Sequence, residues 1–523
     1  MQSTSATSAD VIRTATPPHV PPAGTPGIAL AEGKESIVEV GGYGIKTIVY
    51  PPSRVVNKNQ TVTIYVAAGG QGFGHKVPME AIVEKLRRQP DTQVIYDTNP
   101  PVHTFDRGAA DHMRYKLSNW KTMAEFANFY RFYKSAKPQF RAFGQRIRDV
   151  TTNPEHPIHA ALFNHRFGSV AAADALPQNV PMLQQIPDHG KPHRGWLNKR
   201  MLRQTATNND LDRLIVANLT TADHARRHGV PAENIQALGY PLRQAYEDWA
   251  SRPKSEAREA LGIPADKRVL IMSAGNARDP GPFVAQVEGL LQHDNAMDLH
   301  LIALCADNKE LPTQLQALQQ KLDAKGKPGI IHTLGTQSGE EMARLLRAAD
   351  LNAIQPGGGS LADCYGMGVV PIIWGEKSGI EHANRKHAQR NTLALMAFQP
   401  ASFVGAIRPS SDADAQLFRQ AVFDKTDVQL NEILRNQQPF QRLMIDGAEN
   451  IAKLAHTIAR TQAGFKVEDK SVLERNRPIG PTPGTPATPG AADADYTPAS
   501  GLGSVAQASP ESTIPEGSVI RRF

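Results

Sequence analysis

Two glycine-rich turns carry the residues whose chemistry is easiest to name. The first, Gly69-Gly70-Gln71-Gly72-Phe73-Gly74-His75-Lys76, follows a β-branched run at 61–68 and opens a helical pattern with Ile82, Val83 and Leu86 on one face. Glycines let the backbone approach a ligand closely, and a helix start offers amide donors to an anion. A histidine ordinarily titrates near neutral pH, so His75 can act as a base, although a histidine in this place can also cap the helix. The second turn is Gln355-Pro356-Gly357-Gly358-Gly359-Ser360-Leu361-Ala362-Asp363. Its glycines and Ser360 make a nest of N–H groups suited to a pyrophosphate. Asp363, read as part of the first helical turn, can accept hydrogen bonds from a ribose diol or merely favour the helix dipole. Glu381 and Asn384 stand at i and i+3, on one helix face, where they can hold sugar hydroxyls together. Asp188, before His189-Gly190, is either a partner or substitute for His75 or simply a turn former.

These residues need strands and helices to hold them. Strands are expected at 61–68, 93–97, 181–186, 213–218 and 234–238, and again at 268–273, 298–305, 329–334, 353–355 and 369–374. Helical patterns near 282–292, 311–324, 338–348 and 360–366 alternate with the second series. Such alternation means βαβ units and parallel sheets. Arg252-Pro253-Lys254-Ser255 reads as a linker between the two series. The expected fold is therefore α/β: two doubly wound, Rossmann-like domains, 34–250 and 251–470, with a cleft between them. Ligands bind outside the carboxyl ends of strands in such sheets, which adds Ser273, Gly275, Asn276 and Leu334 to the candidates. Residues 1–33 and 471–523, rich in Ser, Thr, Ala, Pro and Gly, are expected to be disordered tails.

Composition excludes several classes. Of 523 residues, 40% are hydrophobic, enough for sizeable cores. No window of about 18 apolar residues suggests a transmembrane helix, and the first residues lack a basic and then apolar leader. Cys305 and Cys364 are the only cysteines, which excludes a disulfide scaffold or a Cys-rich zinc module and points to a reducing, cytoplasmic setting. The net charge of +7 is concentrated in residues 101–150, with ten Lys/Arg against four Asp/Glu. There Phe126, Phe129, Tyr130 and Tyr133 form one helical face, with Trp120 before them and Lys134, Lys137, Arg141, Arg146 and Arg148 after. That pattern suits a core-facing stripe or an amphipathic surface docking on anionic lipid. Asp412-Ala413-Asp414 is read as a loop that follows no strand, so no catalytic metal is expected.

The order of these features resembles the GT-B glycosyltransferases, above all the monogalactosyldiacylglycerol synthase and processive diacylglycerol glucosyltransferase group. Gly72-Phe73-Gly74-His75-Lys76 with Glu80-Ala81-Ile82 is similar to that group's Gly-Gly-Gly-His-Arg…Glu-Ala-Ile turn. Pro187-Asp188-His189…His193-Arg194-Gly195-Trp196 looks like its Thr-Asp…His-Pro-x-Trp element. Leu238-Gly239-Tyr240-Pro241-Leu242-Arg243 is similar to its Gly-x-Pro-Val-Arg segment, and 357–363 with Glu381 and Asn384 to its donor site. Asp363 stands where the group usually has Glu, Ile380 where it often has Gln, and 273–276 is less glycine-rich. The resemblance implies a nucleotide-activated sugar, a UDP-sugar, bound by the C-terminal domain, with no further cofactor. It also implies a hydroxyl acceptor, such as a lipid, at the N-terminal domain, and inversion with His75 or Asp188 as base. Gly72, Gly74, His193 and Trp196 would line the acceptor and phosphate side, possible membrane contact falling to the basic aromatic segment, with no nucleic acid involved. Two alternatives share the fold: a UDP-sugar epimerase, and a non-catalytic sugar-nucleotide-binding protein of the kind a bacterium secretes as an effector.

Overall fold

An antiparallel hairpin, Lys34–Val40 (β1) and Tyr43–Tyr50 (β2), opens the first sheet. It is followed by Val62–Ala67 (β3), Thr92–Asp97 (β4), Ala160–Phe163 (β5), Met182–Ile186 (β6), Arg213–Val216 (β7) and Ile235–Ala237 (β8). The computed structural model describes residues 30–68, 73–98, 138–191, 197, 200–202, 209–273, 281–306, 308–327, 329–376, 379–398 and 412–467. The strand order is β1-β2-β4-β3-β5-β6-β7-β8, parallel from β4 onward. β3 and β5–β8 are buried along their whole length, as parallel strands covered on both faces must be. The hairpin left little trace in the sequence because β1 is mostly exposed and lacks a buried alternation. β5, Ala160-Ala161-Leu162-Phe163, is short and has no β-branched residue to mark it.

The second sheet is wholly parallel. It contains Arg268–Ser273 (β9), Leu299–Ala306 (β10), Ile331–Gly335 (β11), Leu351–Ile354 (β12), Val370–Ile373 (β13) and Leu395–Met396 (β14). Their order is β11-β10-β9-β12-β13-β14, the doubly wound 3-2-1-4-5-6 arrangement. Each sheet has apolar cores on both faces. The expected pair of doubly wound sheets is therefore present.

One element crosses the expected division at 250–251. Helix Gly447–Gln462 leaves the second half and lays Ile451, Leu454, Ala455 and Ile458 on the first sheet, against Ile64, Val66, Met79 and Ile82. The crossing is tight. Gly239 has φ +94°, and a Cβ there would fall 1.9 Å from the Leu443 carbonyl oxygen, so only glycine fits. The chain is pinned at the expected linker, 252–255. Pro253 caps helix Lys254–Ala260, whose Lys254 and Arg258 both bind Asp350, at 2.9 and 2.5 Å. The inner end of the expected tail 1–33 is held in place: the Ala31 N–H donates to the Ser53 hydroxyl and its carbonyl accepts from Arg87. The rest of that tail and 471–523 lie outside the described residues.

The basic segment needs one correction. Residues 138–151 form a helix on which Arg141 and Arg148 are exposed, but Arg146 is buried. Its guanidinium donates to both oxygens of Asp97, at 3.1 and 3.2 Å, and to the Thr47 hydroxyl at 3.0 Å. Asp97, fully buried, also accepts from Thr47 and Tyr65, each at 2.6 Å. Arg146 is thus a core cation and cannot face a membrane. Trp120, Phe126, Phe129, Tyr130, Tyr133, Lys134 and Lys137 lie outside the described residues. Asp412 begins a helix, Asp412–Phe423, instead of lying in a loop. Among the described residues no helix is long and apolar enough to cross a membrane.

Candidate active site

The order of the first sheet places β3 beside β5, with β4 on the far side of β3, so the chain switches direction between β3 and β5. A crevice opens at the carboxyl ends of the strands at such a switch. The chain leaving β3 enters helix Phe73–Arg88 with His75 in its first turn, and the chain leaving β5 supplies Asn164 and His165. His75 Nδ1 lies 2.9 Å from the Asn164 carbonyl oxygen, and the Asn164 amide donates back to the His75 carbonyl at 2.5 Å. A carbonyl only accepts, so Nδ1 carries the hydrogen and Nε2 is the basic nitrogen of the neutral ring. The His165 ring stands edge-on at 4.9 Å. The sequence reading offered Asp188 as the group that orients His75; the Asn164 carbonyl does this instead.

The second sheet switches between β9 and β12, and Ser273, Gly358, Gly359, Ser360 and Asp363 lie at or after the carboxyl ends of those two strands. Ser273 ends β9, and Gly357 caps helix Gly358–Met367 just after β12. The first amides of that helix, at Gly358, Gly359 and Ser360, have no partner within it. Asp363 is its sixth residue, in the second turn and not the first as expected. Half-buried, it sits near Arg243 and Tyr246; burial pushes its carboxyl up to about 7, against the opposing pulls of Arg243 and Tyr246. Arg243 was not singled out from the sequence, although it lies in the Leu238–Arg243 segment quoted above. Its Nε is buried without a hydrogen-bond partner, and its guanidinium lies against Gly339 and over the Tyr246 ring. Leu334, at the end of β11, packs half-buried on the second sheet's core.

The raised carboxyl has a consequence for stability. Asp363 is protonated in the folded chain up to about pH 7 but titrates near 3.8 when unfolded, so the folded state binds more protons between those values. Stability must then fall as pH rises from about 4 to about 7. Asp363→Asn should remove that slope and stabilise the chain at pH 8 by on the order of 1–3 kcal/mol, discounted for partial exposure. Urea unfolding of both proteins at pH 5 and pH 8 checks this; an Asn variant less stable at pH 8 contradicts it.

The two halves meet at the loop after β6. Asn384, fully buried in helix Gly379–Arg390, accepts from the backbone N–H of His189 at 2.8 Å and of Gly190 at 3.0 Å. Its amide nitrogen donates to the Asp188 carboxylate at 3.2 Å and the Pro356 carbonyl at 3.1 Å. Two accepted and two donated bonds fill the side chain, so Asn384 does not hold sugar hydroxyls as expected. Glu381, one turn earlier, is half-buried and close enough to Asp188 to act on its charge. Asp188 is buried, and that burial raises its carboxyl to about 6, with the Asn384 amide lowering it and Glu381 raising it. His189 donates from Nε2 to the Gly358 carbonyl at 2.9 Å; burial and His387 push it down to about 3, so it stays neutral. Glu376, also missed, is buried after β13 and binds Arg385 and His382, at 2.8 and 2.9 Å, tying the end of that strand to helix Gly379–Arg390.

The close approach makes Gly358 a sharp test. A Cβ there would lie 2.0 Å from the Pro187 carbonyl oxygen. Alanine in a helix ordinarily gains up to about 1 kcal/mol over glycine. Here the clash should win, and Gly358→Ala should lose about 1–3 kcal/mol in denaturant unfolding. An Ala variant as stable as the parent means the two loops are not packed. Gly72, Gly275, Asn276, His193 and Trp196 lie outside the described residues; Gly74 lies in the first turn of the His75 helix.

No family model matches the chain. Curated relatives do. The chain is 24% identical over 261 residues to the processive diacylglycerol β-glucosyltransferase of Bacillus licheniformis, covering 48% of this chain and 65% of that one. It is 26% identical over 175 residues to the same enzyme of Bacillus pumilus, covering 34% and 43%. It is 21% identical over 273 residues to that of Bacillus subtilis, covering 50% and 68%. The first two alignments thus span less than two thirds of those relatives' own lengths. Among solved structures, the calicheamicin glycosyltransferase overlays with a TM-score of 0.49 at 13% identity, covering 76% of this chain and 98% of the other. The UDP-GlcNAc 2-epimerase of Neisseria meningitidis overlays at 0.46 and 12% identity, covering 75% and 100%. With two doubly wound sheets meeting at their carboxyl ends and these sequence relatives, the chain resembles the GT-B glycosyltransferases, specifically the processive diacylglycerol β-glucosyltransferases.

Proposed function

We propose that this chain transfers a sugar from a nucleotide sugar, a UDP-sugar, to a lipid hydroxyl, with inversion at the anomeric carbon. The observation that carries the reading is His75, held by the Asn164 carbonyl so that Nε2 is its basic nitrogen at the switch point of the first sheet. The acceptor hydroxyl gives its proton to Nε2 as its oxygen attacks the anomeric carbon, and the bond from that carbon to the diphosphate breaks with the electron pair leaving on phosphate. In this reading the amides of Gly358, Gly359 and Ser360, at the start of their helix, receive that charge. Glu381, and Asp363 near its own pKa at neutral pH, serve the sugar and the ribose. The acceptor class rests on the curated relatives, whose names specify diacylglycerol.

Incubation of the purified chain with UDP-glucose, UDP-galactose or UDP-N-acetylglucosamine and no acceptor tests the reading. Slow release of UDP, accelerated by added diacylglycerol, supports transfer. Interconversion of the sugar supports epimerisation instead. Tight binding with no release in either condition supports a recognition protein.

A further inference from the structure

We propose that Asn384 is a positioning residue: its amide latches the acceptor-side loop 187–190 onto the donor-side helices and fixes Asp188 in the closed cleft. The inference deepens the proposed function, because it assigns a way in which the two halves become one site.

Four hydrogen bonds from one side chain tie together three segments that are far apart in sequence. The acceptor-side loop gives the His189 and Gly190 amides and the Asp188 carboxylate, and the turn after β12 gives the Pro356 carbonyl. A second contact runs the other way across the same seam, from His189 Nε2 to the Gly358 carbonyl. Shape enforces the fit. A Cβ on Gly190 would fall 2.3 Å from the Ala383 carbonyl, and one on Gly358 would meet Pro187, so both sides of the seam are bare backbone where they touch. On the acceptor side the loop is held from behind: Asn218 and Thr221 donate to the His189 carbonyl at 3.0 and 3.1 Å. The loop is thus rigid toward its own sheet and latched to the opposite one by Asn384.

The latch also sets the surroundings of Asp188. Glu381 approaches it from helix Gly379–Arg390 with like charge, Tyr240 approaches from the segment after β8, and Asn384 is its amide donor. His189, the next residue, is neutral. Loss of the Asn384 donor leaves the carboxylate facing Glu381 without that compensation.

Two variants and two readouts test the proposal. Asn384→Ala removes all four bonds. Asn384→Asp keeps the acceptor for the His189 and Gly190 amides and replaces the donor to Asp188 with a carboxylate. Amide hydrogen exchange, which needs no turnover, should show His189 and Gly190 exchanging at least about tenfold faster in the Ala variant and close to the parent rate in the Asp variant at equal stability. The Asp188 carboxyl, followed by carbon NMR, should titrate at a pH higher by about half a unit or more in both variants. Exchange of both amides at the parent rate in Asn384→Ala overturns the latch. An unmoved Asp188 titration in both variants overturns the positioning of Asp188. If no sugar transfer is found in the parent, the proposed function fails while the exchange result still decides the latch.

Discussion

His75→Ala should lower sugar transfer by about 10²–10⁴-fold, the usual contribution of a positioned base, while leaving donor binding and the fold in place. The ring does not lie in the interior of either sheet's core. One hydrogen bond of the ring is to a backbone carbonyl, Asn164 O, that remains when the side chain is removed. The donor residues stand on the other sheet, at 357–363 and 381. Truncation should therefore remove the proton acceptor and little else. Calorimetric titration with UDP and a transfer assay on the same preparation separate the two effects. Near-normal turnover in the variant would make His75 a structural residue and pass the base role to Asp188, whose carboxyl at about 6 is suited to it.

The largest expected effect on stability lies outside the cleft. Arg146→Met should cost about 3–5 kcal/mol, because it strands Asp97 as a buried charge without its cation. Asp97 is fully buried and would keep only the Thr47 and Tyr65 hydroxyls. Arg141→Gln, on the exposed side of the same helix, should stay within about 0.5 kcal/mol of the parent. Urea unfolding of the two variants checks the contrast; equal stabilities would deny the buried pair. The same contrast governs any test of lipid binding through the basic segment. Neutralising Arg146 with its neighbours would confuse unfolding with lost attachment, whereas Arg141 and Arg148 can be changed without disturbing the core.

Much of the architecture was legible because parallel strands are near-continuous apolar runs and the helices between them carry a clear period. β9 through β13 all fell where the alternation placed them. What failed to show was tertiary. Arg146 sits in a run of cations and looks like its neighbours; only the register of helix 138–151 against β4 turns it inward to Asp97. Asn384 shares a helix face with Glu381, but periodicity cannot say that the face is covered by loop 187–190 from the other sheet. The return of helix Gly447–Gln462 to the first sheet left no local mark beyond glycines at 239 and 447. Asn164 had no signal at all, since its role is played by a backbone carbonyl.

The linkage in the product tests the central claim most directly. The purified chain, UDP-sugars labelled in the hexose and diacylglycerol vesicles are incubated together, and the glycolipid is examined by NMR at the anomeric position. The account predicts a β-linked glycosyl-diacylglycerol formed from the α-linked donor, with UDP released in equal amount and both lost in His75→Ala. An α-linked product, or conversion of the UDP-sugar to its epimer with no glycolipid, contradicts it.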